Sequence, residues 1–237
     1  MLFFYVRHGD PIYDPDSLTS LGKRQAEAAA RRLSRYGIDK IYASTSQRAI
    51  ETAQPTCEIM KKDIELLEFC HEGNAWKYFT VEKPDGRITW LFQDKESVNV
   101  LTSPEVRALG DKWYDHPRFA NGMFKEGVEK IYDDIDGFFK TLGYEHERYT
   151  GRYKCVSPTN DRVALFAHQG FGLIFLSCLL DIPYPMISTH FDITHSGITV
   201  INFGGEEYSV PKVLTLSNDS HIYADGLPTK YNNALYF

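Results

Sequence analysis

Two short, almost unbroken hydrophobic runs each stop abruptly at a histidine, and this repeated design constrains the chain more than any other feature. Leu2-Phe3-Phe4-Tyr5-Val6 leads straight into Arg7-His8-Gly9-Asp10-Pro11, and Val163-Ala164-Leu165-Phe166-Ala167 into His168-Gln169-Gly170. A strand apolar at nearly every position must be covered on both faces, which is the condition of a parallel strand inside an α/β sheet.

The segments between the two runs fit that frame. Thr19 or Ser20 can cap a helix through Gln25-Ala26-Glu27-Ala28-Ala29-Ala30-Arg31-Arg32-Leu33, which is rich in strong helix formers and stops near Gly37. Asp39 to Ser44 reads as a second strand, and Ser46 can open a helix through Arg48, Ile50 and Ala53 that Pro55 bends or interrupts. Strand, helix, strand, helix predicts an α/β fold: a mostly parallel central sheet flanked by helices on both faces, with reactive loops at the carboxyl ends of the strands. Lys125 to Leu142 carries one apolar stripe at helical spacing, and Gly143 to Asp161 reads as a polar, exposed link. Gly197 to Phe203 and Val210 to Leu216, separated by Gly204-Gly205, form a terminal hairpin pattern. Residues of about 71–124, with Trp76, Trp90 and Trp113 among Gly, Pro, Asp and Asn, read as an aromatic-rich insertion over the sheet edge in one domain spanning 1–237.

Charge narrows the partners. With 26 Lys and Arg against 32 Asp and Glu the chain carries −6, so no overall basic field attracts nucleic acid, although a few arginines in one cleft can still hold a small anion. No run approaches the roughly 20 apolar residues of a membrane-spanning helix, and the first residues lack a leader pattern. Neither a membrane nor a nucleic-acid partner is expected. Cys57, Cys70, Cys155 and Cys178 are scattered without a CxxC, which suits a reducing compartment, so a cytoplasmic location is expected.

An apolar strand followed by Arg-His-Gly sets an imidazole and a guanidinium at the sheet rim, and Gly9 lets a ligand approach the backbone. Neutral imidazole is a nucleophile toward phosphorus, and arginine's rigid fork of donors matches phosphate oxygens. His168, placed after the second apolar strand as His8 is after the first, points to convergence at one edge. His190, Asp192 and His195 lie close in sequence, but their spacing on a loop and strand entry is a weak zinc pattern, and no metal is assigned to the site. His71, His116, His146 and His221 read as surface or packing residues.

Taken in order, these pieces resemble the histidine phosphatase superfamily, the group that includes the cofactor-dependent phosphoglycerate mutases. Arg7-His8-Gly9 matches its first signature, and Leu18-Thr19-Ser20-Leu21-Gly22-Lys23-Arg24-Gln25-Ala26 its first helix start. Ser44 to Ala53 matches the block that brings a second arginine, Arg48; Phe166-Ala167-His168-Gln169-Gly170 resembles the second-histidine motif, and Asn218 to Ile222 a closing element. The resemblance runs from about residue 2 to residue 222 and implies a phosphoglycerate mutase-like sheet.

It further implies a phosphatase of phosphate monoesters, using His8 as nucleophile through a phosphohistidine, with no metal and no cofactor. Arg7, Arg48 and His168 would surround the phosphoryl oxygens, with Gly9 and Gln169 also on the substrate, and His8 would hold its tautomer by donating to a backbone carbonyl. The family's proton donor is a glutamate after a strand. Glu68 fits the strand end and is preferred, while the spacing to Gly73 keeps Glu72 open. A small phosphorylated substrate and inorganic phosphate are the implied ligands, and a homodimer is compatible with the sequence. Two rivals stand beside this reading, a phosphoglycerate mutase-type phosphotransferase and a catalytically weakened phosphate-binding regulatory module. Asp14 stands where mutases place an asparagine and would repel a phosphate dianion, unless Pro11 and Pro15 re-route the loop or the chemistry differs.

Overall fold

Phe3 and Tyr5 enter one hydrophobic core and Phe4 and Val6 a second, as alternation along a strand requires. A computed structural model describes residues 1–229; residues 230–237 of the expected single-domain span lie outside the described residues. The fold is α/β, with a six-stranded, mostly parallel central sheet. Its strands are β1 (Leu2–Arg7), β2 (Lys40–Ser44), β3 (Ile64–Leu67), β4 (Arg162–Ala167), β5 (Ile198–Asn202) and β6 (Lys212–Asn218). They lie in the order β6-β5-β1-β4-β2-β3. β1, β4, β2 and β3 pair in parallel, while β5 runs antiparallel to β1 and to β6, so the terminal hairpin is part of the main sheet.

One face is covered by α1 (Ser20–Ser34) and α2 (Gln47–Met60), which bury Ala29, Leu33, Ala53 and Cys57 against Phe4, Val6, Ile41 and Phe166. Thr19 caps α1 by accepting from the Gly22 amide. Pro55 does not end α2, which continues to Met60. The other face is covered by α4 (Phe124–Thr141) and α5 (Gln169–Leu180), with α3 (Glu72–Tyr78) packed against them. α5 is apolar on every side and buried from Gly170 to Leu179, so something must cover the side turned away from the sheet.

The aromatic segment of 71–124 supplies that cover. Leaving the edge strand β3, it crosses to α4, α5 and the short helix Tyr184–His190 that follows α5, where Phe79 and Trp113 pack on Tyr184 with ring centroids 4.9 and 5.4 Å apart. Each fully buried aromatic ring contributes about 2–3 kcal/mol through burial. The link after α4 differs from its expected exposed form. Residues Tyr144–Glu147 and Arg152–Cys155 form strands of a small antiparallel sheet, with Tyr144 and Tyr153 buried by alternation while their polar neighbours face outward.

Candidate active site

Strand register brings the chemistry together. Arg7 pairs with Ala167 and Phe166 with Ala43, so β1, β4 and β2 end level, and His8, His168 and Ser44 emerge along one rim. Because β5 is antiparallel, it begins where the others end: Ile198 pairs with Val6, so the loop before it carries His195 to the same rim. Arg7, His8, Arg48, Gln169 and His195 all line one cleft of about 530 Å³.

His8 is buried, and its Nδ1 lies 2.7 Å from the carbonyl of Gly9. A carbonyl only accepts, so Nδ1 carries the proton and Nε2 keeps the lone pair, the tautomer expected of the nucleophile. Burial pushes the His8 pKa well below the usual histidine value, helped by His168 and Arg7. The Gly9 amide donates to Thr52 Oγ1 at 3.0 Å, and a Cβ on Gly9 would sit 2.6 Å from the Gly22 carbonyl oxygen, so only glycine lets α1 begin this close.

The guanidinium groups are held by their own partners. Arg7 Nη1 donates to the Ile193 carbonyl and Nη2 to His195 Nε2 at 2.8 Å. Arg48 Nη1 donates to Asp16 Oδ1 at 2.7 Å and Nη2 to His168 Nδ1 at 3.2 Å. His168 therefore accepts at Nδ1 and donates from Nε2 to Ser44 Oγ at 2.8 Å, and burial, with Arg48, His71 and Arg7, holds its pKa well below the ordinary value. The His8 ring centroid lies 5.3 Å from that of His168 and 5.5 Å from that of His195. Arg7 Nε, Arg48 Nε and Glu72 Oε2, all on residues that line the cleft, are buried without a hydrogen-bond partner in the protein. Such atoms cost about 1–3 kcal/mol each, and their collection around one cleft marks a ligand site.

The carboxyl group in this cleft is Glu72, not the preferred Glu68. β3 ends at Leu67, and the 3-10 turn Glu68–Cys70 leaves Glu68 exposed, with its Oε2 accepting from Thr45 Oγ1 at 2.6 Å. The turn carries the chain inward, so Glu72, in the first turn of α3, lines the cleft and accepts from the Gly170 amide at 2.9 Å. Its side chain is 17% exposed, and Oε2 stands 3.7 Å from His168 Nδ1. Burial raises its pKa from 4.5 to about 7 against the lowering pull of the Gly170 amide, Arg7 and Arg48.

The loop after His8 is re-routed. Pro11–Tyr13 and Asp16–Leu18 form a β-hairpin whose exposed tip holds Asp14, which does not line the cleft. In its place the hairpin offers Tyr13, whose ring lies 5.4 Å from the Arg48 guanidinium carbon, and Asp16, which pairs with Arg48.

Arg7, His8, Arg48, His168 and Gln169 are thus gathered as expected, with Gln169 bonded to Asp192. His195, His71, Trp76, Trp90 and Gln93 also line the cleft. Sequence reasoning did not place them there, because no local pattern shows that β5 runs antiparallel to β1 and so returns His195 to this rim. The weak zinc pattern disperses, with His190 2 residues from Asp192 in sequence but bonded to Arg107, and Asp192 to Gln169. Among the described residues, Asp136, His146 and Cys178 bring ligand-type atoms within 4.8 Å of one another, and none of the three lines the cleft. That cluster is already charge-paired: His146 bonds Asp136 at 2.9 Å and Asp181 at 3.2 Å, and Arg148 also pairs with Asp136.

Residues 4–109 match the family described as the histidine phosphatase superfamily (branch 1), which bears out the resemblance carried by the motifs. Phosphoserine phosphatase 1 of Hydrogenobacter thermophilus is 26% identical over 144 residues, covering 59% of this chain; the chain spans 58% of the length of that relative. Among solved structures, phosphoserine phosphatase from Entamoeba histolytica in complex with 3-phosphoglyceric acid is 18% identical, with a TM-score of 0.59 over 93% of this chain and 98% of that one. A mycobacterial glucosyl-3-phosphoglycerate phosphatase, 16% identical, gives 0.59 over 91% and 98%. A putative alpha-ribazole-5'-P phosphatase from Escherichia coli, 16% identical, gives 0.57 over 92% and 98%. These structural likenesses establish the shared fold. No helix among the described residues is long and apolar enough to cross a membrane.

Proposed function

From a chain whose residues 4–109 match the histidine phosphatase superfamily, we infer a phosphatase of small phosphate monoesters that works through a phosphohistidine on His8. The observation that carries this reading is the His8 tautomer: Nδ1 is committed to the Gly9 carbonyl, which leaves the Nε2 lone pair in a cleft with two guanidinium groups. In the first half-reaction Nε2 attacks phosphorus and the ester oxygen departs with its bonding pair. Arg7, Arg48 and His168 stabilise charge on the equatorial oxygens, and Glu72 gives its proton to the leaving alkoxide. In the second, Glu72 takes a proton from water as that water attacks phosphorus. The P–N bond breaks and phosphate leaves with His8 neutral again.

A pKa near 7 suits a carboxyl that must be acid in one half-reaction and base in the next. His195, bonded to Arg7, fits beside the phosphoryl oxygens, and Gln169 fits the leaving alcohol. The guanidinium pair supplies the positive charge that phosphoryl transfer needs, so EDTA should leave the rate unchanged.

The test is hydrolysis of p-nitrophenyl phosphate by wild type and His8→Ala, with a rapid quench of labelled substrate. Label that survives alkali, is lost in acid and is absent from His8→Ala supports the reading. Equal rates for the two proteins would remove His8 from the mechanism. Discharge of the label by phosphoglycerate faster than by water would favour the mutase instead.

A further inference from the structure

We propose that the natural leaving group is an uncharged alcohol with a flat, apolar ring face, and that esters of carboxylated alcohols are poor substrates; this rests on the phosphatase reading above. The argument begins with charge. Arg7 and Arg48, the guanidinium groups of the cleft, are those committed to the phosphoryl group, and no lysine lines it among the described residues. Lys77 on α3 is turned away, its ammonium 3.1 Å from the Tyr78 hydroxyl, which in turn donates to Glu126. Arg107 is bonded to His190, which lines an adjoining cavity, and does not itself line the cleft.

Carboxyl groups, by contrast, stand in and behind its walls. Asp16 sits behind Arg48, Asp192 behind Gln169, Asp10 3.7 Å from His195, and Glu72 lines the wall. A carboxylate on the leaving group would find no lysine or further arginine in this partly desolvated cleft to pair with, and the aspartates behind its walls would add to the cost.

The wall beyond the phosphoryl cradle is aromatic. Trp76 and Trp90 meet edge to face, centroids 4.9 Å apart at 86°, and Trp90 is backed by Phe92 at 5.6 Å. Trp76 is 38% exposed, an unusual exposure for tryptophan unless its face is used. Gln93 and Gln169 stand beside the rings as neutral donors and acceptors for hydroxyl groups. A sugar ring and an aryl ring share the required chemistry: no charge, an apolar face and a phosphate on a neighbouring carbon.

The experiment compares kcat/KM for benzyl phosphate and glucose 6-phosphate with that for O-phosphoserine and 3-phosphoglycerate, all alkyl esters without an activated leaving group. The two ring esters distinguish an aryl from a sugar source. At least one should exceed both carboxylated esters by tenfold or more. Trp76→Ala should lower that advantage about tenfold. Gln93→Arg should raise kcat/KM for phosphoserine relative to the ring ester, because it supplies the missing cation. A wild-type preference for phosphoserine or phosphoglycerate, with hydrolysis still abolished by His8→Ala, overturns this inference and leaves the phosphatase reading standing. No His8-dependent hydrolysis of any ester overturns both.

Discussion

Replacing Glu72 by glutamine removes a titrating proton while preserving shape and the bond from the Gly170 amide, so it isolates the acid–base role. Burial raises this carboxyl from 4.5 to about 7, which at pH 7 keeps about half of it protonated, against about 0.3% for an unperturbed carboxyl. Burial therefore increases the reactive acid about 160-fold at neutral pH, a differential of about 3 kcal/mol. With an alkyl ester, whose alkoxide needs that proton, Glu72→Gln should lower kcat by about 10²–10⁴-fold. With p-nitrophenyl phosphate, whose phenolate leaves unaided, the phosphorylation step should fall far less. The wild-type rate of that step with the alkyl ester should decline as pH rises through 7, and the variant should lose this limb.

Stability gives an independent check on Glu72. The folded pKa lies above the unfolded one, so the native state keeps a proton that the unfolded chain releases, and stability falls as pH rises from about 4.5 to 7. Above that window Glu72→Gln should be more stable than wild type by up to about 3 kcal/mol in urea titrations. Single-turnover kinetics with both esters decide the kinetic part. An equal loss on alkyl and aryl esters, or a leaving-group-dependent loss in Glu68→Gln instead, would refute the assignment.

Three further outcomes follow from packing and charge. Gly170→Ala would set a methyl group 2.6 Å from Glu72 Oε1 and against the Trp90 ring, so it should displace the acid and lower kcat at least tenfold, at a stability cost of about 1–3 kcal/mol by thermal melting. Trp113→Ala empties a site that is 1% exposed among Phe79, Phe119, Phe124 and Tyr184, and should cost about 3–5 kcal/mol in denaturant unfolding. For His146, burial alone would lower the pKa, yet bonds to Asp136 and Asp181 raise it from 6.5 to about 9. Its stabilisation is complete below pH 6.5 and disappears as pH rises through 9, a loss of up to about 3 kcal/mol that His146→Asn should abolish in urea titrations at the two pH values.

The parallel part of the sheet and the phosphate cradle were legible in the sequence. Unbroken apolar runs read as inner strands, and a parallel strand delivers whatever follows it to one rim, so the meeting of Arg7, His8 and His168 was legible from strand ends, whereas Arg48, on the helix after β2, was legible only through the motif block that resembles the family. The small sheet at Tyr144–Glu147 and Arg152–Cys155 was less legible, because alternation with charged residues reads as a polar link until a partner strand buries its tyrosines.

The buried carboxyl, the third histidine and the aromatic wall of the cleft depend on packing instead. Glu68 and Glu72 differ by a single 3-10 turn after β3, and the inward bend, absent from any local pattern, leaves one carboxyl in water and buries the other. His195 arrives because β5 runs against its neighbours, and Trp76 and Trp90 because the cover over α5 folds back across the rim. Local propensity reports what a segment does along its own axis. Which side chains share a cleft depends on where segments distant in sequence cross, and that is set by the packing of the whole chain.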